Sequence, residues 1–129
     1  MSDVAFFNAG RGQLSRQLLL WTNPEPDAIF DAQSIELDLS EFKLLRIICR
    51  TYVSATQEDF IQHATRFIFT DDDEERAQLL FGTYAFFSIC RPVWITSEGI
   101  EFGDNYDVTG TMTTPNNRIL APLYIYGIR

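Results

Sequence analysis

Residues 33–39, QSIELDL, alternate without a fault. Ile35, Leu37 and Leu39 point one way; Ser34, Glu36 and Asp38 point the other. A period of two is the pattern of a half-buried strand. The chain then continues into KLLRIICRTYV (43–53), where Leu45, Ile47 and Cys49 form one apolar face. The opposite face carries Leu44, Arg46, Ile48, Arg50 and Tyr52, which implies a second sheet or a neighbouring subunit on that side. Arg46 and Arg50 are expected to pair with carboxylates from a neighbouring strand or subunit.

The same reading runs along the chain. QLLLWT (17–22) is a strand stopped by NPEPD, where two prolines in three residues force a turn. SATQ (54–57) has the spacing of a capping box, so residues 60–70 could open as a helix, with strand expected in the second half. QLLFGTYAFFSIC (78–90) is one long strand apolar on both sides, or two strands bent at Gly82. PVWIT and GIEF flank SEG as a hairpin, with Gly99 supplying the positive φ. RILAPLYIYGIR (118–129) is the closing strand, and Pro122 places an edge or a bulge in it. The expected fold is all-β: an antiparallel sandwich of about seven or eight strands over residues 17–129, preceded by an extended N-terminal arm, residues 1–16. No repeat or low-complexity segment interrupts it.

Composition narrows the function classes. The 129 residues carry eighteen acidic and ten basic side chains, a net charge of −8. Such a surface repels phosphate backbones and anionic lipid, so neither nucleic acid nor membrane is an expected partner. The first residues have no basic region followed by an apolar run, and no apolar stretch approaches the roughly 20 residues of a membrane helix. Synthesis in cytoplasm is expected, with Cys49 and Cys90 as buried thiols rather than a disulfide.

No chemistry-bearing constellation stands out. His63 is the sole histidine and has no local partner for acid–base work. No nucleophile elbow, phosphate loop or dinucleotide fingerprint is present. The acidic runs TDDDEE (70–75) and DNYD (104–107) supply oxygen ligands but not the spacing of a calcium loop. The expectation is therefore a non-enzyme with no catalytic residue, no metal and no cofactor. Trp21 and Tyr106 each sit beside amide or acid groups, the character of a sugar platform; core packing is the preferred reading for both. In the arm, Phe6 and Phe7 form an apolar pair that either anchors the chain on another component or packs on its own domain.

Two stretches, LLLWTNPEPDAIFDAQSIELDLSEFKLLRI (18–47) and ITSEGIEFGDNYDVTGTMTTPNNRILAPLYIYGIR (95–129), resemble a small β domain found in phage and prophage structural proteins, whether tail-associated, fibre-like or stand-alone. The resemblance covers the two ends of the chain and not residues 48–94. It implies fold-defining roles for Trp21, Asn23, Pro24, Phe30, Leu37, Leu39, Gly99, Phe102, Gly103, Asp104, Tyr106, Tyr126 and Gly127, and brings no catalytic residue. In the stretch GDNYD, Gly103 would allow the turn, Asp104 would accept backbone N–H groups, and Tyr106 would cover the adjacent strands. The resemblance also implies a virion location; strands apolar on both faces, 44–52 and 78–90, imply a homo-oligomer, with a trimer as the expected form. The chain would decorate the head or attach at the tail or fibre, and other virion proteins would be its partners. Longer members of that family carry a fibre or collagen-like shaft before the domain; here a short arm stands in that place, which favours an accessory or decoration role. The alternative is a carbohydrate-binding module for a host-surface glycan.

Overall fold

The structure is a computed structural model, and it describes residues 17–53, 63–70, 76–84, 87–108 and 116–129. The arm with Phe6 and Phe7, the capping-box segment and the acidic run 71–75 lie outside the described residues. Among the described residues there is no helix. Nine strands form two antiparallel sheets: β1 (Gln17–Thr22), β2 (Gln33–Glu36), β3 (Leu44–Tyr52), β4 (His63–Phe69), β5 (Gln78–Tyr84), β6 (Phe87–Thr96), β7 (Gly99–Phe102), β8 (Tyr106–Asp107) and β9 (Ile119–Ile128). One sheet has the order β1-β9-β3-β4; the other runs β2-β7-β6-β5, with β8 beside β6. The all-β sandwich read from the alternation is the fold observed.

The core lies between the sheets. Leu45, Ile47, Cys49, Ile68 and Ile125 face inward from the first sheet, and Leu80, Ile89, Val93, Ile100 and Phe102 meet them from the second. Each fully buried aliphatic or aromatic side chain contributes about 1.5–3 kcal/mol against exposure. Trp21, Phe30 and Phe102 stack edge to face in sequence, with ring centroids 6.2 and 5.4 Å apart, the geometry that aromatic quadrupoles favour.

Several strand boundaries differ from the sequence expectation. QSIELDL is paired only over Gln33–Glu36. Leu37 and Leu39 still pack on the core, but outside a ladder. The apolar run 78–90 is two strands, and the break is not at Gly82: β5 ends at Tyr84 and β6 begins at Phe87, its register partner. Gly82 lies within β5, where a Cβ would come within 2.7 Å of the Leu120 side chain. Gly99 has φ 150°, as its hairpin demanded, and a Cβ there would sit 2.2 Å from the Ile35 carbonyl oxygen.

Pro122 stands in a central strand, which a missing N–H normally forbids. A bulge resolves the conflict. Ile48 pairs with Tyr124 and Cys49 with Pro122, so Leu123 is the extra residue. Asn23, just past the end of β1, serves the bulge. Its N–H donates to the Leu123 carbonyl at 2.8 Å, and its Nδ2 donates to the Pro122 carbonyl at 2.9 Å. Its Oδ1 accepts the Glu25 N–H at 2.7 Å, which folds the chain over Pro24. The WTNP stretch thus has a mechanical role: it seats β1 on an irregular β9.

Where the edge strands β4 and β5 approach one another, side chains take the place of ladder bonds. The Gln78 amide accepts from Phe69 N–H at 2.8 Å and donates to the Phe69 carbonyl at 2.7 Å. Arg66 Nε donates to the Phe81 carbonyl at 2.7 Å. Both edges are thereby partly closed to further strand pairing.

Candidate functional site

Two regions carry unusual chemistry. The first is a polar junction inside one end of the sandwich. Along β6, Ile89, Arg91, Val93 and Ile95 share the inward face, so an arginine occupies a core position. Arg91 is fully buried. Its Nε donates to the Leu120 carbonyl at 2.9 Å, one terminal nitrogen donates to Gly103 at 2.8 Å, and the other donates to Ile119 at 3.1 Å. Its guanidinium also lies 5.5 Å from the Phe30 ring centroid. Burial pulls its pKa down to about 10, opposed by Cys49, Asp104 and Asp31. It remains the charged form at neutral pH.

The chain bends to present those carbonyls. Leu120 adopts φ 55°, a left-handed conformation that costs a non-glycine residue about 1–2 kcal/mol. Its carbonyl meets Arg91 while its buried side chain fills the space above Gly82. Next to it, Asn105 stands in for a strand neighbour. Its backbone N–H donates to Asn117 Oδ1 at 3.0 Å, and its Oδ1 accepts the Asn116 N–H at 2.9 Å. Its Nδ2 donates to the carbonyls of Ile119, at 3.0 Å, and Asn116. Asn117 Nδ2 donates to Asp104 Oδ1 at 2.6 Å and to Asp31 Oδ1 at 3.2 Å. Asp104 Oδ1 also accepts the Ala32 N–H at 3.2 Å.

The resemblance-derived residues divide on this geometry. Phe30, Phe102, Gly103 and Asp104 meet at the junction, and Asp104 accepts a backbone N–H as expected. Gly127 lies under the Phe42 ring, where a Cβ would come within 2.5 Å of it. Tyr106 does not cover the strands: it projects from the outer face of β8 and is 45% exposed. Inward-facing Asp107 and Asn105, its neighbours in sequence, are the buried ones. Tyr106 instead pairs across the ladder with Cys90. Burial raises the Cys90 thiol, and a hydrogen bond with Tyr106 opposes that rise. Tyr126 lies on the outer face of the first sheet, not in the core.

Arg91, Asn105, Asn116 and Asn117 were not among the residues singled out from sequence. The inward-face pattern of β6, with Arg91 in line with Ile89 and Val93, was the signal available for the first. Arg50 found a carboxylate within the chain: its terminal nitrogen donates to Asp27 Oδ1 and to the Pro26 carbonyl, both at 2.7 Å. Arg46 has a ring instead, with its guanidinium 4.6 Å from the Tyr126 centroid.

The second region is the outer face of the first sheet. Three cross-strand rows span all four strands: Gln17, Ile128, Leu44, Phe69; then Leu19, Tyr126, Arg46, Phe67; then Thr22, Tyr124, Ile48, Thr65. Phe67 and Phe69 are 55% and 59% exposed. No row contains a carboxylate, and Arg46 is the only charge. Its Nε and the Gln17 Oε1 are buried without a hydrogen-bond partner among the described residues. The second sheet's outer face is mixed: Leu79, Phe81 and Trp94 sit among Ser34, Glu36, Glu101, Thr83 and Ser88.

Among the described residues, no group of three or more histidine, cysteine or carboxylate side chains is placed to hold a metal ion. No helix among them is long and apolar enough to cross a membrane. Comparison with family models, curated proteins and solved structures returns no match for this chain.

Proposed function

We propose that the chain is a non-enzymatic structural protein of a tailed-phage particle, a self-associating decoration or tail- and fibre-associated component. The observation that carries the reading is the three-row patch on the outer face of the first sheet, a carboxylate-free and largely apolar surface on a chain of net charge −8. A contiguous apolar patch is a feature of contact surfaces, and an antiparallel sheet in an isolated sandwich normally turns a polar face to water. The resemblance of both chain ends to the phage domain adds support. Several residues of that pattern, Asn23, Phe30, Gly99, Phe102 and Gly127, occupy positions where this fold tolerates little else. Mass spectrometry and cryo-electron microscopy of purified particles test the reading. The expected result is the protein at fixed copy number on the particle; its absence from particles overturns the proposal.

One observation favours the second reading, a carbohydrate-binding module. Tyr106 offers an exposed ring, as a sugar platform requires. Binding of the isolated protein to host cells or a glycan array, lost in Tyr106→Ala, selects that reading over the first.

A further inference from the structure

We propose that the outer face of the first sheet is a two-fold contact with a second copy of this chain. The inference rests on the self-association reading above and names the surface that carries it.

Charge selects the occupant. Two chains that each carry a net charge of −8 repel unless they meet through a surface without carboxylates. The three rows on β1, β9, β3 and β4 provide such a surface. The second sheet's outer face, with Glu36 and Glu101, does not. A nucleic acid or an acidic surface would call for a cluster of cations; the three rows have Arg46 alone, and Arg50, next along the outward side of β3, is buried and already paired with Asp27.

The arrangement around Arg46 is self-complementary. Arg46 and Tyr126 are direct cross-strand neighbours in the middle row, and the guanidinium already lies over its own ring. A two-fold axis between β3 and β9 sets each Arg46 against the partner's aromatic row and each Phe67 toward the partner's β1 side. Residue i then meets j, and j meets i, as an isologous contact requires. Two such faces pack as sheets do in a sandwich, about 10 Å apart.

Area sets the strength. Four strands about 4.8 Å apart and three rows about 6.8 Å apart make a patch of roughly 400 Å² on each copy. The pair buries on the order of 800 Å², below the ~1,200 Å² where stable interfaces begin. The contact is therefore weak and concentration-dependent in free solution, and strengthens where a particle holds copies side by side. A two-fold contact builds pairs; a trimer would need a different face.

Sedimentation of the full chain across low to several hundred micromolar tests this. The expected result is a reversible monomer–dimer equilibrium. The double variant Phe67→Ser, Phe69→Ser should weaken the association constant at least about tenfold with its circular dichroism and melting curve kept. Arg46→Glu, which puts carboxylates in apposition, should weaken it further. Phe81→Ser, on the other sheet, should leave it unchanged. If the parent associates and only Phe81→Ser disrupts it, or if it forms a trimer, this contact is wrong and self-association stands. A parent that stays monomeric throughout overturns the contact. The face is then left to the N-terminal arm or to a different particle protein, and recovery of the chain on purified particles still decides the structural-protein reading separately.

Discussion

The junction around Arg91 and the outer face of the first sheet invert the usual distribution of polarity in opposite directions. One places a guanidinium and two asparagines inside; the other leaves two phenylalanines exposed, with two isoleucines and two leucines beside them. The difference lies in who answers them. Among the described residues, every hydrogen bond that Arg91 makes is met by a backbone carbonyl, and Asn105 bonds only to residues 116–119. The junction is closed, and it ties the start of β9 in one sheet to β6 in the other. The outer face is open, because nothing among the described residues covers Phe67 or Phe69. A buried polar group that is satisfied specifies a fold; an exposed apolar group that is not covered specifies a contact.

The comparison breaks most visibly at Arg91. Arg91→Ala should cost about 3–5 kcal/mol, because it leaves a cavity and strands the carbonyls of Leu120 and Gly103. Denaturant unfolding measures it, and a loss under about 1 kcal/mol would mean the junction is not closed. Asn105→Ala removes the link to Asn116 and Ile119 and should cost about 2–3 kcal/mol in the same assay.

A third test uses alkali. Burial pushes the Cys49 thiol from its ordinary 9.0 up to about 12, with Arg91 opposing the rise. A raised acid pKa means that only the unfolded chain ionises there. Stability from this group is complete below the ordinary value and lost as pH climbs from about 9 toward 12. One unit above the ordinary value the loss is about 1.4 kcal/mol. In the folded chain at neutral pH, Cys49 should also resist thiol reagents; rapid labelling without unfolding would contradict its position.

On the open side, Phe67→Ser with Phe69→Ser should change monomer stability by no more than about 1 kcal/mol, since both are exposed. A larger loss would show that the face is part of the monomer's own support. Smallest of all is Tyr106→Ala, at about 0.5 kcal/mol. A ring that covered the strands, as the resemblance implies, would cost about 3–5 kcal/mol to remove; the exposed ring does not. Unfolding curves of parent and variant should nearly superimpose.

The sandwich was legible because its signals are local. Alternation in 33–36 and 44–52, the prolines after Thr22 and the glycine at 99 each act within a few residues. Pro122 announced a bulge for the same reason. What stayed hidden depends on partners far along the chain. The change from β5, ending at Tyr84, to β6, starting at Phe87, has no glycine, proline or asparagine in the intervening sequence to mark it. Tyr106 looked like a cover for the core because an aromatic in a turn reads the same whichever way it points. Its direction is fixed by pairing with β6, which leaves the even-numbered Tyr106 outside and Asn105 and Asp107 inside. Charge hid Arg91: an arginine in a strand reads as solvated until three carbonyls from residues 103 to 120 are seen to converge on it.

The position of β9 has a consequence for synthesis. It lies between β1 and β3, so the first sheet has no continuous ladder until residues 119–128 have left the ribosome. By then β1, made about a hundred residues earlier, has waited without β9, its partner among the described strands. At roughly 5–20 residues per second that wait is 5–20 s. The second sheet has no such delay: β5, β6 and β7 are consecutive and can pair as they emerge. A nascent chain with residues up to 118 outside the ribosome should therefore protect the β5–β7 hairpins from protease while β1 is cut. The outer face of the first sheet is therefore complete only once β9 has been made.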